Sequence, residues 1–488
     1  MRSGRGLQRG IVCWCALASV SACAVGPNYH RPSAQLPGAW TSEEPWHAAA
    51  PNDAALKGDW WELFDDEILD SLVQRSLQNN QTLKVAAARL DQARSQVTVA
   101  KSYLYPDVGF GASAARAKVS ANRPLSAYST PNESTVQNDF KLGPTVNYEL
   151  DLFGRVRREV EGYRAAADQA AADFENARLV LTAQLVSDYF TLRELDAEID
   201  VLVRSLGLER DALKFVTSRH DLGYATGLEL AQQQALVQQS ASQLDLLKVQ
   251  RAENEHAIAT LIGAPAPGFS IASVVGPGHL PTLPLGLPSD LLQRRPDVAS
   301  AERAMAAANA RIGVARAAYF PTIQLMPLVP NVGWESSAVS TLLNAPSQLW
   351  SIGLSATQTV FDAGRTRANV RIAEEDYTAA VATYRQTVLG AMEEVENGIT
   401  GLTSLDRAAA EANASVESAQ RAFDIATDRY RGGVAIYLDV LTAQQSLLGN
   451  QRQAVQIHGQ QFLTAVYLVK ALGGGWQDLA TSDPSPGS

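Results

Sequence analysis

Between residues 140 and 152 the chain reads FKLGPTVNYELDL, in which Phe140, Leu142, Pro144, Val146, Tyr148, Leu150 and Leu152 alternate with Lys141, Gly143, Thr145, Asn147, Glu149 and Asp151. A period of two predicts a β-strand with one apolar and one polar face. WSIGLSATQTV at 350–360 repeats the alternation, and PDVGFGASA at 106–114 and PTIQLMPLV at 321–329 supply a strand upstream of each. Two β-hairpins are therefore predicted, 104–152 and 319–361, with long polar inner loops at about 119–137 and 331–347. After each hairpin the period changes. Tyr163, Ala167, Ala170, Phe174, Ala177, Leu181, Leu185, Tyr189 and Leu192 recur at threes and fours, the seam of a coiled coil. No proline interrupts the 68 residues between Gly154 and Gly223, or the 68 between Gly364 and Gly433. Helices of that length run about 100 Å at 1.5 Å per residue. Glycine pairs, Gly223 with Gly227 and Gly432 with Gly433, then break each helix, and a shorter one returns.

The two halves are copies of one unit. DLFGRVRREV (151–160) aligns with FDAGRTRANV (361–370), which sets Gly154, Arg155 and Arg157 on Gly364, Arg365 and Arg367. The same offset of 210 sets Gly223 on Gly433 and Glu229 on Asp439. Spacing is kept where identity is not, as continuous helices require, because one inserted residue would turn every later side chain by about 100°. The expected layout is a first repeat over 66–263 (a helix over Asp70–Lys101, the hairpin 104–152, a long helix 155–222 and a returning helix 228–262). A linker follows at 264–287, then a second repeat over 288–475 with a helix over Asp290–Arg316, the hairpin 319–361, a long helix 365–431 and a returning helix 437–472. The tail 476–488 has the composition of a disordered segment.

The N-terminus changes the picture by placing the chain outside the cytoplasm. Arg2, Arg5 and Arg9 precede an apolar run from Ile11 to Val20 and the small pair Ser21 and Ala22. That is a signal peptide over 1–22; ten apolar residues are too few for a bilayer core that needs roughly 20. Val20-Ser21-Ala22-Cys23 resembles a bacterial lipobox, which implies cleavage before Cys23 and acylation of it, with palmitate among the chains carried, at the head of a lipidated segment 23–65. Cys13 and Cys15 fall in the removed segment, so no disulfide is possible within one mature chain. An ordinary secreted protein with an unused thiol is the alternative.

A net charge of −10 argues against nucleic acid as a partner. No long apolar helix follows Cys23, so a membrane could be crossed only by strands of a closed barrel. Four strands cannot close one, since eight is about the minimum, and partner chains are needed. A soluble sandwich would show the same alternation. The six histidines (30, 47, 220, 256, 279, 458) have no metal-ligand spacing, and neither a phosphate-cradling loop nor a nucleophile elbow occurs. No enzyme, metal or cofactor is indicated. In RRPD (294–297) the proline is placed to start a helix with Asp297 in its first turn, and the arginines read as structural.

Taken together, CAVGPNYHRP (23–32), WWELFDDEILDSLVQRSLQNNQTLKVAAARLDQAR (60–94), LPSDLLQRRPDVASAERAMAAANARIGVARAAYFPTIQL (287–325) and RYRGGVAIYLDVLTAQQSLL (429–448) resemble the outer-membrane factor family, the TolC-like channels, in its NodT-type efflux lipoprotein branch. The resemblance covers nearly the whole mature chain. It implies an α+β membrane protein: a homotrimeric, twelve-stranded β-barrel of four strands per chain, held among outer-membrane lipids and continued by a coiled-coil α-helical periplasmic tunnel. It also implies a passive exit duct of a tripartite efflux pump, exporting drugs or other toxic small molecules, with a periplasmic adaptor and a proton-driven RND-type inner-membrane transporter as partners. A type I protein-secretion duct and a pore-less structural coiled-coil lipoprotein are the competing readings. The match carries Asp439 onto the carboxylate of the periplasmic aperture and Tyr430 onto its aromatic neighbour; the repeat-equivalent Glu229 is a further candidate. Two positions depart from better-studied members: Thr442 stands where a second acid is found, and Ala435 where a base is found. Asp439 and Glu229 are equally explained as first-turn acids favoured by the helix dipole. The tips Gly223–Gly227 and Gly432–Ile436, Gly433 and Ala435 among them, are the implied adaptor-docking surface, although glycines there would serve chain reversal in any case.

Overall fold

The computed structural model describes residues 24–31, 59–121, 135–276, 278–281, 295–326, 332–351 and 353–474. The signal peptide, Cys23, most of the segment 23–65 and the tail 476–488 lie outside the described residues. After a 3-10 turn at Trp60–Phe64, the helices are α1 (Glu67–Asn79), α2 (Gln81–Ser102), α3 (Arg155–Asp221), α4 (Gly227–Leu261), α5 (Pro296–Ala317), α6 (Arg365–Arg431) and α7 (Tyr437–Ala471). The strands are β1 (Asp107–Val119), β2 (Thr135–Leu150), β3 (Thr322–Met326), β4 (Val332–Ser336), β5 (Gln348–Trp350) and β6 (Gly353–Thr357). The duplication is kept to the residue in the hairpins: α6 begins and ends 210 positions after α3, and α7 does the same relative to α4.

The chain divides into two compact units. One comprises Met1–Pro32, Leu90–Ala170 and Ala301–Tyr384 and contains the sheet. All its pairings are antiparallel: β1 with β2, β2 with β3 and β4, β3 with β6, and β4 with β5. It is thus a four-stranded sheet whose third and fourth strands are each divided in two. Residues facing each other across a ladder share a face, so Phe110 with Pro144, Val108 with Val146, Leu142 with Trp334, and Leu325 with Leu354 build an apolar side. Lys141 lies on the polar side, paired to Asp139 at 3.0 Å and Glu335 at 3.4 Å. Among the described residues, β1 on one flank and β6 with β5 on the other have a partner on one side only. Val108, Phe110, Trp350 and Leu354 are exposed in the single chain.

Three expectations are corrected here. The predicted polar loop 331–347 contains β4, which pairs with β2. Leu325 faces Tyr148 and Trp334 faces Leu142, nine residues against six, so the third strand carries a surplus of three, and the alternation that marks strands is lost across it. The helix expected over Asp70–Lys101 is two helices. Asn80 stands between them in extended backbone; its side chain accepts from Leu83 N (3.0 Å), an N-cap of a favoured residue type, and donates to the distant Leu261 O (2.8 Å). In the coiled-coil seam Leu181, Leu185, Tyr189 and Leu192 are buried as predicted, but Tyr163 is exposed, and Val156, Val160, Ala165, Ala172 and Leu179 are buried instead.

The first unit also holds a strap formed by residues 24–31. Val25 N donates to Phe153 O (3.0 Å), and the buried Arg158 donates to Val25 O (3.2 Å), Gly26 O (3.3 Å) and Asn28 Oδ1 (2.9 Å). Asn309 Nδ2 reaches Pro27 O at 3.0 Å, and Tyr29 Oη reaches Glu302 Oε1 at 3.0 Å. Gly26 (φ 105°) crosses α5 so closely at Gly313 that a Cβ on Gly26 would fall 2.5 Å from Gly313 Cα. Gly26→Ala therefore has no room and is expected to release the strap, at a cost of about 1–3 kcal/mol. Hydrogen exchange at Val25, Tyr29 and the start of α3 checks this; unchanged protection would show that the strap tolerates the methyl.

Candidate functional site

The two hairpin tips lie in the second unit, which comprises Ser33–Arg89, Ala171–Ser300 and Arg385–Ser488. Each long helix ends in the same way. Gly223 N donates to His220 O and Tyr224 N to Arg219 O; Gly433 N donates to Tyr430 O and Val434 N to Arg429 O. The closing glycines have φ of 76° and 77°, a left-handed turn that other residues rarely adopt, so both glycines of the repeat have a conformational reason. Around these turns Leu222, Tyr224, Leu228, Val434 and Ile436 are exposed. Thr226 caps α4 through Glu229 N (3.2 Å), whereas Ile436 at the equivalent place caps α7 with no side chain.

Beneath the tips Val216, Tyr430, Tyr437 and Val440 form a buried cluster. Tyr430 and Tyr437 pack with ring centroids 5.1 Å apart. Tyr430 Oη donates to Glu229 Oε2 at 3.3 Å, and the Arg219 guanidinium lies 5.1 Å from the Tyr430 ring centroid. Burial, then the Glu229 carboxylate, holds the Tyr430 hydroxyl above the usual phenol range. Two of the predicted aperture residues, Tyr430 and Glu229, are thus brought together. Asp439 is not with them. It sits exposed in the first turn of α7, and no ion pair to it occurs among the described residues.

A polar chain continues inward from the cluster. Tyr437 Oη donates to Gln233 Oε1 (2.5 Å), and Gln233 Nε2 donates to the backbone oxygen of Glu209 (2.7 Å). The Glu209 side chain is fully buried; Ser205 and Ser240 donate to one of its oxygens at 3.1 and 3.0 Å, and the other has no partner. Burial pushes this carboxyl above the ordinary range. Arg219, Gln233, Tyr437 and Glu209 were not singled out in the sequence. For three of them absence from the repeat pattern was the available signal: Tyr437 stands opposite Gly227, Gln233 opposite Ala443 and Glu209 opposite Ala419, whereas Arg219 is matched by Arg429.

The family model for outer membrane efflux protein matches residues 72–264 and 287–474, one segment per repeat. This chain belongs to the outer membrane efflux protein family. Two relatives are the pyoverdine export outer membrane protein OpmQ of Pseudomonas aeruginosa, 32% identical over 467 residues (94% of this chain, 97% of the relative), and the toluene efflux pump outer membrane protein TtgI of Pseudomonas putida, 30% identical over 468 (94% and 97%). The solved outer-membrane channel OprN superposes with a TM-score of 0.83 at 30% identity, covering 93% of this chain and all of that one. Channels of this outer membrane efflux family are trimers with a β-barrel and a helical tunnel, and in that assembly the free sheet edges have partners.

Two outcomes follow from the tip geometry. Tyr430→Phe removes the Glu229 hydrogen bond, and a double-mutant cycle with Glu229→Gln is expected to give a coupling of about 1 kcal/mol in trimer unfolding; additivity would assign the bond no energy. For Glu209 the raised carboxyl pKa favours the folded state at low pH, and that contribution is lost as pH rises through the folded value. Glu209→Gln should flatten the fall in stability as pH rises above the ordinary glutamate range, exceeding the wild type by about 1 kcal/mol once that fall is complete; parallel curves of stability against pH would contradict it.

Proposed function

We propose that three copies of this chain form the outer-membrane exit duct of a tripartite efflux pump, a passive conduit for small molecules driven by an inner-membrane transporter. The observation that carries the reading is the sheet: four antiparallel strands, one apolar and one polar face, and two edges that only further chains can satisfy in lipid. The polar face, with Lys141, Asp139 and Glu335, lines the pore in this account.

Acyl chains on Cys23 anchor the mature terminus. This is supported by the strap, which fastens the residues next to Cys23 beside Phe153, where β2 gives way to α3. A single acyl chain binds weakly and two or more bind stably, so the anchor acts together with the barrel. At the tips, the exposed apolar side chains around Gly223, Gly227, Gly433 and Ala435 support docking of a periplasmic adaptor, which couples the duct to a proton-driven RND-type transporter. In this account threefold symmetry brings three Asp439 carboxylates around the axis, a ring that attracts cations and narrows the aperture electrostatically. Tyr430 and Glu229 act one layer behind it, bracing the turn. Cargo is the least constrained feature: relatives 32% and 30% identical to this chain are named for pyoverdine and for toluene.

Single-channel recording on the purified trimer tests the reading. Cation-selective conductance is expected, and Asp439→Asn should reduce that selectivity several-fold without abolishing the pore. A trimer that conducts nothing in either form would overturn the duct. Palmitate incorporation that survives Cys23→Ser would separately remove the proposed anchor.

A further inference from the structure

Away from the tips, the second unit contains a cavity of about 310 Å³ between α3, α7 and the segment around Val274. That is the lower end of the size of small-molecule sites, which run from about 300 to 1,000 Å³. Its apolar lining is Phe190, Val201, Val274, Val275, Val455 and Phe462, and charged side chains stand among them. Phe190 and Phe462 are stacked with centroids 4.6 Å apart and planes 22° from parallel.

The charged groups along the walls are accounted for, with one exception. Arg193 is held by Asp196 (3.2 Å), Tyr189 (2.8 Å) and Ala272 O (2.9 Å), and Arg204 by Asp200 (2.7 Å). Asp66 accepts from Tyr189 and caps α1, and His458 Nδ1 lies 3.1 Å from Gln461 Oε1. Glu198, just behind, is held by Arg452 and Gln456. Glu194 remains. Its carboxylate faces the cavity, half-buried, with no hydrogen bond or ion pair among the described residues. The opposite wall makes space for it, since a Cβ on Gly459 would fall 2.2 Å from Glu194 Oε2.

The tandem repeat provides an internal comparison. At the positions 210 residues away, Glu194 is matched by Ser404, Phe190 by Thr400, Phe462 by Ala252 and Gly459 by Val249. The other half folds into the same pair of helices without any of the four. The hairpin does not need this set of residues, and an ionised carboxylate beside apolar walls opposes folding unless it takes up a proton or something positive joins it.

We propose that this cavity binds a small hydrophobic molecule bearing one ammonium group, with Glu194 as the counter-ion and the Phe190–Phe462 stack as the apolar wall. The inference does not rest on the duct reading, because the cavity lies within one unit of a single chain. Burial, and then the neighbouring Glu198, push the Glu194 carboxyl up to about 7. Its ionised form therefore grows roughly tenfold between about pH 6 and pH 8, and affinity for an ammonium group should grow with it. Arg193, Arg204, Asp200, Asp66 and Glu198 are already paired, and His458 is bonded to Gln461 and packed edge-on against Phe462.

The test uses the full chain as the detergent-solubilised trimer, with benzylammonium as probe and benzyl alcohol as its neutral counterpart, titrated calorimetrically at about pH 6 and pH 8. Saturable binding of benzylammonium, one per chain and roughly tenfold tighter at the higher pH, is expected. Glu194→Gln should weaken it about tenfold and remove the pH dependence, while His458→Gln keeps that dependence. Gly459→Ala, which fills the space beside the carboxylate, should also abolish binding. Absence of saturable binding, equal affinity in Glu194→Gln, or equal binding of benzyl alcohol would each overturn the site. If the variants do not assemble, a pH-independent affinity in the wild type does so alone. A trimer structure with a neighbouring protomer's side chain in the cavity would also overturn it.

Discussion

The unpaired backbone at the two flanks of the sheet is the constraint on which the rest depends. In hydrocarbon an N–H or C=O group without a partner costs several kcal/mol, and β1 alone presents thirteen residues along one edge. A four-stranded sheet with one apolar face and two such edges is not a membrane structure by itself. Repeating it around a threefold axis supplies every edge with a partner. The trimer is therefore a condition for a closed barrel rather than an elaboration of one.

The same symmetry explains the helical part. Each chain contributes two hairpins whose helices match in length to the residue, so the repeat acts as a second, internal symmetry. Where the two copies diverge, the divergence is local and chemical. The tip of the second hairpin adds Tyr430 and Tyr437, which together with Glu229, Gln233 and Glu209 tie the two hairpins into one polar and aromatic network. The cavity beside Glu194 is likewise confined to one repeat. Symmetric positions carry the architecture, and asymmetric ones are where specific chemistry is found.

Much of this was legible in the sequence because it rests on period and spacing. Alternation at 140–152 marked β2, the constant offset of 210 marked the paired helices, and Gly223 and Gly433 marked turns that need a positive φ. What escaped depends on contacts distant along the chain. Asn80 breaks a helix because it caps the next one and binds Leu261 O, and nothing near Asn80 in sequence announces that partner. The third strand loses its alternation to a surplus of three residues, so β4 read as loop. Tyr430 was located through the family's pattern, yet its bond to Glu229 joins residues 201 apart. Arg295 shows the opposite case: its place before Pro296 suggested a structural role, and it is buried, bonded to Asp297, Glu394 and Ala471 O.

Closure of the barrel between chains is the central claim, and the most direct measurement is short-range crosslinking of its two free edges. With one cysteine at Ser113 on β1 and one at Ser355 on β6, both on the polar side of the sheet, a short bis-maleimide applied in outer membranes should give covalent dimers and trimers from the double variant. Each single variant should stay monomeric on denaturing gels. A double variant that yields only intramolecular links, or none, would contradict the account.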